Sequence, residues 1–172
     1  NPLPEPETWI EGFGQIVHCT EPVTKWYSYR DDHVDLYPVR LTDGKQQVQW
    51  RTTAVPPTWK YETVTFVWSG GFGWSTDPAG GNFNLSINNE KVLDFEFTQI
   101  LTRWAKDGVR LFYFPKRGQG SDSLGLFYLT IPTKLIKKAE PVTISVFANG
   151  HNSRRWFGLN PYTDTVATET QQ

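Results

Sequence analysis

The sequence predicts an all-β fold: a single antiparallel β-sandwich, of jelly-roll type, with minimal helix. Two observations lead to this prediction. Short alternations of apolar and polar residues recur along the 172-residue chain, separated by glycine, proline or asparagine, which is the pattern of half-buried antiparallel strands. No strand–helix–strand unit is visible, so a parallel α/β fold is not expected.

The first third of the chain is the least regular. One strand is predicted at 14–19, and Glu21-Pro22 ends it. After a dense aromatic and charged stretch and a turn at 42–45, apolar residues alternate with Gln47 and Gln49, which predicts a strand with one face in water. Pro56-Pro57 ends that strand.

Three short strands are predicted in the span 63–97, at 63–68, 83–87 and 92–97. A glycine-rich loop at 70–74 is expected between the first two, with the rings of Phe72 and Trp74 on flexible backbone at a sheet end. Asn88-Asn89 is expected to turn the chain between the second and third strands, because asparagine tolerates positive φ.

The rest of the chain predicts further strands joined by short connections. An irregular span at 98–107 precedes an apolar strand at 109–114, and a glycine- and serine-rich loop begins at Lys116. The remaining elements are a strand at 124–131, one helical turn at 132–138, and strands near 142–146 and 156–159. The total is about eight to ten strands, the spacing of a sandwich.

The predicted domain organisation is one sandwich at 9–162, between a linker or mature N-terminus at 1–8 and a polar C-terminal tail at 163–172. The chain contains no methionine, even at position 1, so a processed or excised piece of a larger exported protein is expected. The expected location is secreted, periplasmic or at the cell surface. Cys19 is the one cysteine, which excludes an intramolecular disulfide.

Charge and hydropathy argue against two classes of partner. The net charge of -1 gives no bulk attraction to nucleic acid or to an anionic membrane surface. No apolar run approaches the roughly 20 residues that span a bilayer. By contrast, aromatic residues make up 15% of the chain and include eight tryptophans. That exceeds what a core of this size obviously needs and points to rings that stack on a ligand.

Four segments follow one another in a recognisable order: VTFVWS, FNLSINNEKVL, FYLTIPTKLIKKAEP and VTISVFA. This order resembles the galactose-binding-domain-like β-sandwich of carbohydrate-binding modules, over about residues 63–149. The usual Asn-Gly turn of that family is replaced here by Asn88-Asn89. The resemblance implies a jelly roll that binds carbohydrate beside a covalently linked catalytic domain, and it allows one structural Ca²⁺.

The candidate ligand-binding residues are tryptophans outside clear strands, with nearby polar groups and a polar run after a predicted strand: Trp59, Trp74, Asp77, Trp104, Asn149, His151, Asn152, Arg154 and Arg155. An indole packs on the C–H face of a sugar while amides and charged groups bind its rim. Arginine favours planar anions, which makes an acidic polysaccharide plausible. The alternative is that the rings cap the sandwich and the polar run is a solvated turn, whereas Trp50 and Trp68 are predicted to be core.

A cluster of carboxylates suggests a metal. Asp31, Asp32 and Asp35 offer the oxygen ligands that Ca²⁺ prefers, although ion pairs with neighbouring arginines are an alternative use. No cofactor is expected to be required. A zinc site is not expected, because the three histidines are dispersed.

The sequence therefore predicts a non-catalytic carbohydrate-binding module, with polysaccharide or oligosaccharide as its partner. No catalytic residue is assigned. A small β-sandwich polysaccharide lyase or hydrolase is one alternative, since histidine, tyrosine and carboxylates are present. A structural spacer or subunit-contact domain of a larger enzyme is the other.

Overall fold

The computed structural model describes residues 10–12, 15–21, 24–27, 33–41, 45–78, 80–99, 102–150, 154–160 and 166–168. Fourteen strands in these ranges form two sheets, and all their pairings are antiparallel. The all-β sandwich that the sequence predicts is confirmed. Its jelly-roll connectivity stays a prediction.

The smaller sheet has six strands. Their order from one edge to the other is β1 (Ile10–Gly12), β2 (Gln15–Cys19), β5 (Gln47–Arg51), β12 (Thr143–Asn149), β7 (Asn82–Ile87) and β8 (Glu90–Phe95). Because β5, β12 and β7 lie side by side, residues that are distant in the chain meet on one surface.

The larger sheet has eight strands. Seven form a continuous order: β3 (Thr24–Tyr27), β4 (His33–Arg40), β13 (Trp156–Leu159), β6 (Thr63–Gly73), β11 (Asp122–Pro132), β10 (Val109–Gln119) and β9 (Arg103–Lys106). The eighth, β14 (Val166–Thr168), pairs with the first half of β6. It falls in the segment expected to be a polar tail. In the described part of the chain, one 3₁₀ turn at Thr133–Leu135 is the only helical segment, within the predicted 132–138.

The core lies between the two sheets and is rich in rings. Trp50 of β5 meets Trp68 of β6 edge to face, with ring centroids 5.2 Å apart. Trp68 in turn stacks on Phe127 at 5.4 Å. Both tryptophans are fully buried, which confirms the prediction that they are core. Many of the aromatic residues that make this sequence unusual therefore pack in the core.

The predicted glycine-rich loop at 70–74 is wrong. Strand β6 continues through Gly73, and Phe72 is fully buried. The glycines permit close packing: a Cβ added to Gly70 would lie 2.2 Å from the carbonyl oxygen of Gly158, and one on Gly71 would lie 2.2 Å from that of Ser123. Glycine inside a strand here marks the close approach of neighbouring backbones, not a turn.

The loop predicted from Lys116 is also wrong. Strands β10 and β11 continue toward each other and form a long hairpin that turns at Gly120-Ser121. A register shift between Pro115 and Arg117 interrupts the pairing within this hairpin. The structure also has strands where none was predicted, including β3, β4 and β9 in the irregular spans.

The asparagine turn is confirmed. Asn88 and Asn89 have φ of 49° and 70°, so both central residues are left-handed, as a two-residue hairpin turn of type I′ requires. The Asn88 side-chain oxygen accepts a hydrogen bond from the Thr143 amide at 3.0 Å, which ties the turn to the neighbouring strand β12.

Candidate functional site

Four of the residues predicted to bind a ligand lie together at one end of the sandwich: Trp74, Asp77, Trp104 and Arg155. They surround the segment that follows β8. The Ser75 amide donates to the Phe97 carbonyl at 3.0 Å, and Trp104 Nε1 donates to the Glu96 carbonyl at 3.2 Å. The rings of Trp74 and Trp104 are half-buried and pack against the core. Their position is that of rings closing the end of the sandwich.

Arg155 is buried and has a structural role. The residue is 4% exposed, and its guanidinium donates to three backbone carbonyls: Ser75 at 3.1 Å, Gly81 at 2.9 Å and Asp77 at 2.6 Å. Asp77 thus offers the arginine its backbone oxygen. These bonds hold the connection between β6 and β7 in place. The neighbouring Arg154, by contrast, is exposed.

Trp59 lies at the opposite end of the molecule from Trp74. Its Nε1 donates to the Thr63 carbonyl at 3.0 Å, at the first residue of β6, whereas Trp74 follows the last. The 11 residues of that strand extend about 36 Å at about 3.3 Å each. Trp59 is also only 9% exposed. The three tryptophans therefore do not form one surface, and burial leaves the Trp59 ring little area for a sugar.

Several predicted residues lie outside the described part of the chain, namely His151, Asn152, Asp31 and Asp32. Asp35 is described; it lies on β4, opposite Lys25 of β3. Among the described residues, no group of three or more His, Cys, Asp or Glu is placed to hold a metal. The calcium expectation stays a prediction. No helix within the described ranges is long and apolar enough to cross a membrane.

The outward surface of the six-stranded sheet has a different character, and we name it the polar face. Its side chains alternate with core residues such as Val48 and Val146 along each strand. The polar face consists of Gln47, Gln49, Asn82, Asn84, Ser86, Lys91, Asp94, Ser145, Phe147 and Asn149, and the next outward pair on β5 and β12, Arg51 and Thr143, lies beyond it. Strand pairing arranges these residues in rows that cross the strands.

Two of these rows supply most of the polar side chains of the polar face. The first is Gln47–Phe147–Asn84–Asp94, which places one aromatic ring between two amides. The second is Gln49–Ser145–Ser86–Lys91. Asn149 pairs with Asn82 beyond the first row. Gln49, Ser86 and Ser145 of the second row are at most 7% exposed, so the accessible polar groups are mainly those of the first row, which lie around a single apolar platform.

A groove of about 550 Å³ runs over the polar face. Its lining includes Gln47, Asn84, Ser86, Lys91, Phe147 and Asn149. Phe147 is half-buried and is the one aromatic side chain in this lining among the described residues. Of the predicted ligand-binding residues that the structure describes, Asn149 is the one in this lining.

The polar face also concentrates unpartnered polar atoms. Nine buried side-chain nitrogen or oxygen atoms lack a hydrogen-bond partner in the described part of the chain, and six of them are on this face. The six are Gln47 Oε1, Gln49 Oε1, Asn82 Oδ1, Asn84 Oδ1, Asp94 Oδ1 and Ser145 Oγ. Leaving a buried polar group unpaired costs about 1–3 kcal/mol. Native proteins leave few such atoms, so their concentration on one surface makes this face a candidate for contact with a polar ligand.

Charge on the polar face is largely balanced. Lys91 Nζ lies 3.2 Å from Asp94 Oδ2, which forms an ion pair at one side of the groove. Lys45 is exposed and lies on the groove's lining. The groove thus combines neutral amides and hydroxyls with one ion pair and with Lys45, the second lysine of its described lining.

Among the described residues, the titratable groups with clear pKa shifts lie in the core, away from this groove. Burial raises the pKa of the Cys19 thiol to about 12, and its Sγ donates to the Pro38 carbonyl at 3.4 Å. Burial also raises the pKa of Tyr113, whose hydroxyl shares a hydrogen bond of 2.8 Å with Ser123 Oγ. Both groups therefore stay protonated at neutral pH, which gives neither the character of a base or nucleophile.

Comparisons with protein-family models, with curated proteins and with solved structures found no match for this chain. The resemblance to galactose-binding-domain-like modules therefore stays a prediction. The polar face combines a groove, one aromatic side chain and six unpartnered oxygens, which makes it the candidate ligand-binding surface.

Proposed function

We propose that this domain binds carbohydrate, without catalysis, through the groove on the polar face. The supporting observation is the position of Phe147: one aromatic ring among amide and hydroxyl side chains, with six unpartnered buried oxygens on the same surface. A sugar presents the complementary chemistry, an apolar face of C–H groups with hydroxyls around its rim. An apolar platform with a few placed polar groups is the usual composition of such sites.

In the proposed mechanism, Phe147 packs against the face of one sugar ring. Gln47 and Asn84 lie on the two neighbouring strands, so each is about 4.8 Å from Phe147 in the direction across the sheet. Both are half-buried, and rotation of either side chain brings its amide oxygen to a bound hydroxyl. Hydroxyls of the sugar then satisfy acceptors that have no partner in the described part of the protein.

This proposal moves the site from the tryptophans to the sheet. Trp74 and Trp104 keep a packing role at the end of the sandwich, and Arg155 keeps its hold on the backbone. Asn149 is common to the sequence prediction and to the groove. The apolar contact is supplied by phenylalanine, which is a smaller platform than tryptophan.

We place the domain in an exported protein that acts on polysaccharide, where it tethers a catalytic domain to its substrate. A shallow, open groove gains little from burial, so affinity per site is expected to be weak. A covalent link compensates, because it raises the effective concentration of the polymer at the second domain.

The test is affinity electrophoresis of the wild type and two phenylalanine variants through gels containing soluble polysaccharides. Phe147→Ala removes the proposed platform. Phe114→Ala is the matched control, since Phe114 is 49% exposed on the outer face of the other sheet. We expect at least one polysaccharide to retard the wild type and Phe114→Ala but not Phe147→Ala. Retardation of no variant by any polymer would reject the proposal.

The same samples distinguish binding from catalysis. Polymers incubated with the protein are assayed for new reducing ends and for unsaturated ends. The proposal predicts retardation without either product. If such ends accumulated with time, and Phe147→Ala produced them as well as the wild type, the lyase or hydrolase alternative would be favoured.

A further inference from the structure

We infer that the groove selects a neutral sugar chain and binds an inner stretch of about three units laid across the strands. This inference rests on the proposed function and names its ligand class. It departs from the acidic polysaccharide that the arginine-rich run in the sequence suggests. Three features of the polar face support it: its unpartnered acceptors, its charge balance and its row geometry.

The unpartnered atoms on the polar face call for donors. Asp94 Oδ1 is an acceptor however the amides are turned, and the oxygens of Gln47 and Asn84 lie beside it in the same row. Neutral sugars carry a hydroxyl donor at almost every carbon. A carboxylate or sulfate at neutral pH brings acceptors alone, so it leaves these oxygens unpaired and faces the Asp94 charge.

Two nearby positive groups are committed to other partners, and Lys45 is the other cationic residue of the described lining. Arg155 is buried and donates to backbone carbonyls, and Lys91 pairs with Asp94 at 3.2 Å. No arginine lines the groove among the described residues. Bidentate recognition of a uronate or sulfate by arginine is therefore not offered by the described lining of this groove.

The row geometry sets the direction and length of the ligand. The row Gln47–Phe147–Asn84–Asp94 crosses four strands, a distance of about 14 Å at about 4.8 Å between strands. That is about the length of three sugar rings joined end to end. Phe147 is second in the row, so it meets an inner ring while polar side chains lie on both sides. This arrangement fits a chain segment better than a single terminal sugar.

The experiment uses neutral polymers paired with charged derivatives of the same backbone: hydroxyethyl cellulose with carboxymethyl cellulose, and laminarin with sulfated laminarin, beside neutral xylan, galactomannan and agarose. Binding to each is measured by affinity electrophoresis at 50 mM and 500 mM NaCl. We expect a neutral polymer to bind, and its affinity to change less than twofold with salt. Where that polymer has a charged counterpart, the counterpart should bind at least tenfold more weakly. Asp94→Asn is expected to reduce that penalty for the charged counterpart.

A length series of oligosaccharides from the bound neutral polymer, measured by titration calorimetry, tests the geometry. The dissociation constant is expected to fall steeply up to three or four units and then to level. Preference for the charged polymers, weakened by salt as charge attraction is screened, would overturn the inference while leaving carbohydrate binding intact. A monosaccharide that binds as tightly as a tetrasaccharide would overturn the chain-segment geometry. Binding of neither class would reject the proposed function itself.

Discussion

The clearest energetic prediction concerns Arg155. Replacing it with methionine keeps most of the side-chain volume but removes every donor that holds the carbonyls of Ser75, Asp77 and Gly81. Hydrogen bonds to charged groups are worth about 1.5–3 kcal/mol each, and breaking a buried charged network costs about 3–5 kcal/mol. We take about 4 kcal/mol as the expected loss for Arg155→Met. That is a large share of the roughly 5–15 kcal/mol that stabilises an ordinary domain.

The assay is urea unfolding followed by intrinsic fluorescence, which the buried Trp50 and Trp68 report. Arg155→Lys keeps the charge but loses the planar fork, so an intermediate loss of about 2 kcal/mol is expected. Arg154→Met is the matched control: the residue is exposed, and its change should stay within about 0.5 kcal/mol. If Arg155→Met lowered the free energy of unfolding by less than 1 kcal/mol, the guanidinium would not be holding the β6–β7 connection, and the structural role of Arg155 would be refuted.

Three further predictions concern the sheet, pH and backbone strain. Gly70→Ala should prevent stable folding, since its Cβ would lie 2.2 Å from a backbone oxygen. Gly120→Ala has nothing within 4 Å of its Cβ and should cost about 1 kcal/mol through its positive φ. Thermal melts compare the two variants, and equal losses of stability would contradict the packing argument. Raising pH should leave stability constant to about pH 8. Stability should then fall by about 1.4 kcal/mol per pH unit above pH 9, because the Cys19 thiol ionises there in the unfolded chain but not in the folded one. Tyr113 adds to the fall from about pH 10. Unfolding curves at pH 8, 9.5 and 10.5 should show that stability falls less steeply with pH in Cys19→Ala than in the wild type. Ala139→Gly should stabilise by about 1 kcal/mol, since Ala139 has φ of 68°, a left-handed value that costs alanine but not glycine; no gain in the urea midpoint would argue against strain at this position.

The sequence predicts the fold class well because the signal is local. Alternation along a strand follows from which side chains face the core, and Trp50 and Trp68 obey it. The Asn88-Asn89 turn is likewise local, since it depends on the φ that two adjacent residues tolerate. The loop predicted at 70–74 fails for a physical reason: glycine serves both turns and close backbone approaches, and only the neighbouring strands decide between them.

The candidate site is harder to predict, because it is built by strand pairing. Gln47, Asn84 and Phe147 are far apart in the chain and meet because β5, β12 and β7 are neighbours. The local signal was present on each strand as amides or hydroxyls alternating with core residues, and on β12 as a phenylalanine among polar positions. Tryptophans in irregular segments give a stronger local signal for ligand binding, but burial, which the sequence does not show, decides whether a ring is available.

The measurement that tests the central claim most directly is a calorimetric titration of Phe147→Ala, with wild type and Phe114→Ala beside it, using the glycan that best retards the wild type. The account predicts at least a tenfold loss of affinity for Phe147→Ala, which corresponds to about 1.4 kcal/mol, and wild-type binding for Phe114→Ala. Urea unfolding confirms that both variants are folded. Wild-type affinity in a folded Phe147→Ala would contradict the claim that the polar face is the binding site.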